Sequence, residues 1–439
     1  MLKLLYSHLV GFITEVLGIV TSKERLKQLL GISLYRNALY LIVANIVVPF
    51  TGFIFWVIAA RLYSEEEVGI ASAAIAAMTL LATLSTLGLE FVVIRFIPRS
   101  ENTNLMINSY FTVAGLSSLV VCGIFIVGLG IWSPKLLFLR HEPVYLAAFI
   151  IFTTTYTLSM IVVNVFVARR QSGFSLSHSV ILATLRLPLP IVLAEFFHSF
   201  GIFASWGISW VIALIVSVLV FLPRVQTGYR PFPIIKRSII SEIAHFSLVN
   251  YLANLLWMTP GLILSIMVLN RLGSEISAYF YIAWIVGSVL TTIPLSISMS
   301  LFAEGSTDEK SLGTNVWRSM KLTFLILLPA VIIIAIAADK LLLVFGDSYS
   351  EEGTTLLRIL SLSALPIAIN YIYINLRRVQ KKMAELMVFS AFVAIATLVV
   401  SYILLPRIGI NGVGYAWLGS QGVVAVAIVI SFLLRRPAV

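Results

Sequence analysis

Residues 37–60 read NALYLIVANIVVPFTGFIFWVIAA, twenty-four positions without a charge, and residues 61–65 close the run with RLYSE. About 20 apolar residues, rising 1.5 Å each as a helix, cross a hydrocarbon core of about 30 Å. Backbone polar groups must be paired in lipid, so such a run folds as a helix. Similar runs follow near residues 66–94, 106–131, 145–168, 175–197, 202–222, 243–269, 275–301, 316–338, 355–376, 384–405 and 412–434. The expected fold is an all-α integral membrane protein of about twelve transmembrane helices.

Composition agrees. The 439 residues are 60% hydrophobic and 11% charged, with a mean hydropathy of +1.03. Soluble domains carry roughly 25% charged residues, so most of this surface must face lipid. The net charge of +11 would point to nucleic acid in a soluble protein. Here it follows topology instead. With a cytoplasmic N-terminus, 22 Lys and Arg fall in inside segments and 7 outside, and Arg186 lies within a span. The positive-inside rule therefore puts both termini in the cytoplasm; the expected location is the cell (plasma or inner) membrane, crossed many times.

Within residues 1–31, the apolar run from Leu9 to Val20 is interrupted by Glu15 and leads to Lys23, Glu24, Arg25 and Lys27 rather than to a cleavage site. It reads as an amphipathic helix on the cytoplasmic surface; a disordered leader is the other reading. Cys122, the single cysteine, excludes a disulfide framework.

The closing motif returns. Arg61-Leu62-Tyr63-Ser64-Glu65 reappears as Arg271-Leu272-Gly273-Ser274-Glu275, Ala44-Asn45 as Ala253-Asn254, Arg169-Arg170 as Arg377-Arg378, and Gly201 with Trp206 as Gly412 with Trp417, at offsets of 208–211. The chain thus divides into two parallel six-helix lobes, residues 32–222 and 240–439, joined by a basic cytoplasmic linker over 223–239. Two lobes with one orientation are related by an axis along the membrane normal, and a substrate fits the cleft between them. Capping explains part of the motif: Ser64 with Glu67 forms a capping box, and Ser274 stands where it can cap span 8.

Polar side chains at membrane depth mark cavities or partners. Arg186 lies about eleven residues into span 5, near mid-membrane, with no acid at i±4 and with Pro188 and Pro190 set to kink the helix. A guanidinium grips phosphate bidentately, so Arg186 is a candidate for the pyrophosphate of a lipid-linked substrate; a structural partner such as Glu90 is the alternative. Span 2 sets Thr79, Thr83, Thr86 and Glu90 on one helix face, with Arg95 at the border. Glu90 suits either cation coupling or an ion pair. Further stripes are Asn250, Asn254 and Trp257 in span 7; Ser277, Tyr281, Trp284 and Ser288 in span 8; and Ser363, Pro366, Asn370 and Tyr373 in span 10. These suit a wet, sugar-binding cavity, and they equally suit helix–helix contacts. His8, His141, His178, His198 and His245 have no metal-ligand spacing, and neither a Ser/His/Asp set nor a Walker loop is present. The chain reads as no enzyme and as needing no metal or cofactor. Gly409, Gly412 and Gly414 read as a tight turn between spans 11 and 12.

The segment from Arg36-Asn37-Ala38-Leu39-Tyr40 through Gly52-Phe53-Ile54-Phe55-Trp56 to Ala60-Arg61-Leu62-Tyr63, then Val68-Gly69, Leu87-Gly88-Leu89 and Arg95-Phe96-Ile97-Pro98, resembles the start of polysaccharide-biosynthesis membrane proteins. These are the Wzx-type oligosaccharide flippases of the multidrug/oligosaccharidyl-lipid/polysaccharide (MOP) exporter superfamily. Leu405-Pro406-Arg407-Ile408-Gly409-Ile410-Asn411-Gly412 resembles their turn between the last two helices. The resemblance implies two lobes around a cationic cavity and alternating access. It implies that a polyprenyl-type (pyro)phosphate-linked oligosaccharide moves to the outer leaflet for surface polysaccharide biosynthesis, coupled to a proton or sodium gradient or to the membrane potential. Membrane lipids and other glycan-assembly membrane proteins are the implied partners, and one chain suffices as a monomer. Related lipid II flippases carry basic residues on their first two cavity helices; here span 1 offers Asn45, and span 2 has no mid-membrane Arg or Lys. Two alternatives stand beside the flippase: a multidrug/cation antiporter on the same scaffold, for which Glu90 is the one acid well inside a span, and a membrane glycan polymerase or ligase, for which the outer connections are too short.

Overall fold

The computed structural model describes residues 33–100, 102–235, 248–305, 312–380 and 382–434. The surface helix expected over 1–31 lies outside them, as does the second part of the linker. The main helices are α1 (Ser33–Leu62), α2 (Glu65–Ser85), α3 (Leu89–Phe96), α4 (Thr103–Val127), α5 (Pro143–Ala168), α6 (Ser172–Arg186), α7 (Leu189–Val216), α8 (Leu248–Leu272), α9 (Ser274–Ser288), α10 (Thr292–Gly305), α11 (Leu312–Ile336), α12 (Asp347–Val379), α13 (Met383–Ile408) and α14 (Ile410–Leu434). Among the described residues there is no strand, and 12 helical stretches are long and apolar enough to cross a membrane.

The turn after α1 forms as its sequence predicts. Ser64 accepts the Glu67 amide, and the Glu67 carboxylate accepts the Ser64 amide at 2.9 Å, closing a capping box on α2. Tyr63 is buried beside it and donates to the Pro190 carbonyl at 2.8 Å. Burial first, and Glu67 second, push its pKa up to about 12. The counterpart in the second half differs. Ser274 is the first residue of α9 rather than its cap, and Gly273 holds the cap position at φ 96°. A glycine adopts that left-handed conformation without the Cβ clash.

Three spans are interrupted. The stripe of Thr79, Thr83, Thr86 and Glu90 is not one face, because α2 ends at Ser85 and the chain passes through positive φ at Leu87 (51°) and Gly88 (74°) before α3. The break frees carbonyls, and Tyr251 of α8 donates to that of Leu84 at 2.8 Å. The prolines of span 5 do more than kink it: α6 stops at Arg186, and Pro188 precedes α7. The helix α7 then doubles back. A Cβ on Gly201 would lie 2.9 Å from the Leu193 carbonyl oxygen, whereas eight residues of straight helix span about 12 Å. Gly412 meets the Leu404 carbonyl oxygen in the same way, at 3.0 Å, so the repeat's Gly201/Gly412 pair marks the same tight turn twice. The third interruption is a 3-10 turn at Val289–Thr291 between α9 and α10.

Helices α1 and α6 pack together, as do α4, α5 and α7; α12 is the hub for α9, α10, α11 and α14, and α8 packs on α13. The first half meets the second chiefly through α2, which lies on α8 and α9. Gly69 permits this: a Cβ there would overlap the Ser274 carbonyl oxygen. Tyr251 and Leu84 join the halves at the far end of α2, while further cross-contacts gather at the Gly69 end of the bundle. Arg61 donates to the carbonyls of Val344 (2.9 Å) and Leu343 (2.6 Å). Asn270 donates to the Trp132 carbonyl (2.8 Å) and accepts from Ser133 (3.1 Å). Phe53 packs edge-on against Phe345. The halves are therefore sealed at the Arg61 end.

Candidate functional site

A cavity of about 490 Å³ lies between the halves. The interrupted spans build part of its wall: Thr79 comes from α2, Tyr281, Trp284 and Ser288 from α9, and Thr291 from the 3-10 turn after it. Non-helical backbone at membrane depth is tolerated where it borders a cavity. Trp206 and Trp417, equivalent positions of the repeat, face it from the two halves, joined by Tyr156, Trp257, Ser363 and Tyr371. Neither an acid nor a base contributes to the lining.

One cation stands directly behind it. Arg186 is only 1% exposed. Its guanidinium carbon lies 3.7 Å from the ring centre of Trp206 and 5.4 Å from that of Trp210, so indole faces supply its nearest compensation. Tyr156 and Tyr281 stand close enough to interact with its charge. Trp56 links this cage to Tyr281 (4.7 Å) and Trp206 (6.2 Å). Nε and Nη2 of Arg186 are buried and find no hydrogen-bond acceptor. A buried guanidinium with two empty donors is costly, and Trp206, which lines the cavity, covers it. Arg186 is also the last residue of α6, one turn from the Tyr63–Pro190 contact, so it sits toward the Arg61 end rather than at the middle of a continuous helix.

Glu90 does not neutralise it. No ion pair joins Glu90 to Arg186 or to Arg95 among the described residues. Glu90 lies in the first turn of α3, and its Oε2 is buried without a partner. Arg95 is exposed in the last turn of α3 and lies beside the Phe96 ring.

The remaining sequence candidates divide. Trp257, Tyr281 and Trp284 line the cavity. Asn254 lines a smaller compartment adjoining it. Asn45 is exposed on α1 beside Pro49 and Phe50, away from the cavity. Asn370 is fully buried and donates to Gln421 of α14, which makes it helix–helix glue. Ser277 is likewise buried. The side chain of Asn250 lies outside the described residues. Sequence reasoning missed Tyr156, Tyr371 and the cavity role of Trp206 and Trp417. A signal existed for three of them: the two tryptophans occupy one repeat position inside the membrane, and Tyr156 interrupts the threonine run 153–157. Among the described residues, no cluster of His, Cys, Asp and Glu could hold a metal ion.

The model of the polysaccharide biosynthesis protein family matches residues 34–303. The chain belongs to that family. A second model, MatE, matches residues 251–403. Solved structures carry the comparison to nearly the whole molecule. A lipid II flippase, MurJ, in an inward closed conformation superposes with a TM-score of 0.72 at 12% identity, over 90% of this chain and 87% of that one. An inward-facing multidrug resistance MATE family transporter of the MOP superfamily gives 0.68 at 15% identity, over 90% and 99%. A MOP superfamily transporter from Pyrococcus furiosus, described as having a binding pocket of reverse polarity, gives 0.55 at 14%, over 90% and 93%. At these identities the likeness establishes a shared fold. No curated protein matches the chain. The family member thus has the fold of MOP superfamily transporters, and lines its central cavity with aromatic rings and hydroxyls.

Proposed function

We propose that this family member is a flippase for a polyprenyl-type (pyro)phosphate-linked oligosaccharide. It carries the glycan headgroup from the cytoplasmic to the outer leaflet by alternating access of two six-helix lobes, for cell-surface polysaccharide assembly. Both termini are cytoplasmic in this reading, so the sealed Arg61 end faces outward. The observation that carries the proposal is the chemistry of the cavity: indole and phenol rings to stack on sugars, hydroxyls to bond them, and Arg186 behind Trp206 as the single charge, with its donors empty. The family match supports the polysaccharide context, and the MurJ likeness supports a lipid-linked cargo. Glu90, with its unpartnered oxygen beside the break in span 2, is the proposed coupling group for a proton or sodium ion.

The multidrug antiporter reading draws on the MatE match and the MATE fold. A cationic drug would find no carboxylate in the cavity wall, which favours the flippase. A deletion strain decides between them. The flippase reading expects loss of surface glycan, with the lipid intermediate retained in the cytoplasmic leaflet. Complementation with Arg186→Ala should fail to restore export. Normal glycan and leaflet distribution, with loss of dye efflux, would reverse the assignment.

A further inference from the structure

Beneath the central cavity, toward the Arg377 end, lies a second compartment of about 270 Å³. The two share Trp257, Met258 and Tyr371. Trp257 donates from its indole nitrogen to the Tyr371 hydroxyl (3.3 Å) and stacks on Phe389 (ring centres 6.0 Å apart), so this pair forms a partition between the two spaces.

The lower compartment has a cation of its own, and the contrast with the preceding residue shows why. Arg377 is 6% exposed and compensated: its Nε lies 3.1 Å from the Glu385 carboxylate, Gln380 accepts from it at 2.8 Å, and its guanidinium lies 4.8 Å from the Tyr373 ring centre. Arg378 is one position further round α12. It is exposed to the compartment, and no ion pair or hydrogen bond reaches it among the described residues. Asn254 supplies an amide to the same walls, while the Asn375 amide is taken up by Ser298 and the Tyr371 carbonyl, and no acid lines them. Arg378 lies seven residues beyond Tyr371, about 10 Å along the helix. A guanidinium facing an acid-free enclosure is matched by a phosphate, which accepts its paired N–H groups.

We propose that this compartment is a separate anion station, in which Arg378 and Asn254 hold the phosphate headgroup of the lipid-linked substrate on the far side of the Trp257–Tyr371 partition from Arg186. The inference rests on the flippase reading and adds a second binding point to its path. The headgroup docks at Arg378, the partition opens, and the anion transfers to Arg186 while the glycan fills the aromatic cavity.

Site-resolved thiol protection tests it in the full chain in lipid nanodiscs. Cys122 is the only native cysteine and is buried, so Cys122→Ser supplies the background. Leu295→Cys reports the lower compartment, which Leu295 lines at 37% exposure, and Ser288→Cys reports the central cavity. Geranyl pyrophosphate is the probe, with geraniol and inorganic pyrophosphate as controls. The station predicts that geranyl pyrophosphate slows labelling at both positions. Arg378→Gln should raise the half-protecting concentration at Leu295→Cys by about tenfold or more while Ser288→Cys stays protected, which also reports an intact fold. Arg378→Lys should recover part of the loss. Protection at Ser288→Cys alone would overturn the station and leave the flippase reading standing, whereas protection at neither would count against both. Equal protection of Leu295→Cys by inorganic pyrophosphate would make it a site for free anions and overturn the lipid-linked assignment.

Discussion

Arg186 combines a structural burden with a candidate role. Nε and Nη2 are buried without acceptors, and two indole faces provide only part of what water would. Replacing a buried, poorly compensated charge by an apolar side chain of similar volume often stabilises a fold by about 1–4 kcal/mol. Arg186→Met should therefore raise the thermal midpoint of the purified protein while abolishing glycan export. A lower midpoint with normal export would make the arginine a structural element only. The residue was legible in the sequence as a mid-span cation with no acid on its helix turn. Its cage was not, because Trp206, Trp210, Tyr156 and Tyr281 come from three other helices. Asn370 shows the converse. Its place in a polar stripe suits a cavity, yet its bonds go to Gln421. Periodicity assigns a residue to a helix face, and only the neighbouring helix decides what that face meets.

At the scale of elements, apolar length and charge breaks are enough to find the spans, since lipid leaves the backbone no other paired structure. The interruptions are harder to read. Gly88 hints at the break after α2, but Leu87 also takes a positive φ, which only tertiary contacts can enforce. Close approach is also invisible without coordinates. Gly69 and Gly52 look alike in the sequence, yet a Cβ on Gly69 would collide with the Ser274 backbone, while one on Gly52 would meet nothing within 4 Å. Gly69→Val should cost about 1–3 kcal/mol or more by forcing α2 off α9. Gly52→Ala should leave stability within about 0.5 kcal/mol. Thermal unfolding of the two variants in the same detergent checks both values, and equal behaviour would contradict the packing described for α2.

For the whole molecule, the seal at the Arg61 end is the feature that alternating access must break. Arg61 and Asn270 hold it through four hydrogen bonds between the halves. These bonds favour the conformation closed at that end, and a two-state equilibrium shifts by whatever free energy distinguishes its states. Arg61→Ala with Asn270→Ala removes about 2–4 kcal/mol of such preference at about 1 kcal/mol per bond. The pair should make Ser288→Cys reactive to an impermeant thiol reagent added from the Arg61 side. Unchanged reactivity would mean that the seal resides in the apolar contacts of Phe53, Phe345 and Gly69.

The sequence by itself determined that this is a membrane protein of about twelve helices with an internal repeat, because lipid admits few structures and rewards apolar length. The repeat paired residues that the structure places alike, Gly201 with Gly412 at the same turn and Trp206 with Trp417 at the cavity, but it assigned the tryptophans no cavity role. The tertiary structure decided which polar residues share one space, that Arg186 is caged by indole rings, and that Arg377 pairs with Glu385 while no ion pair or hydrogen bond reaches Arg378 among the described residues. Those are relations between helices far apart in the chain, carried by packing and by the absence of a nearby acid, and no local pattern encodes them.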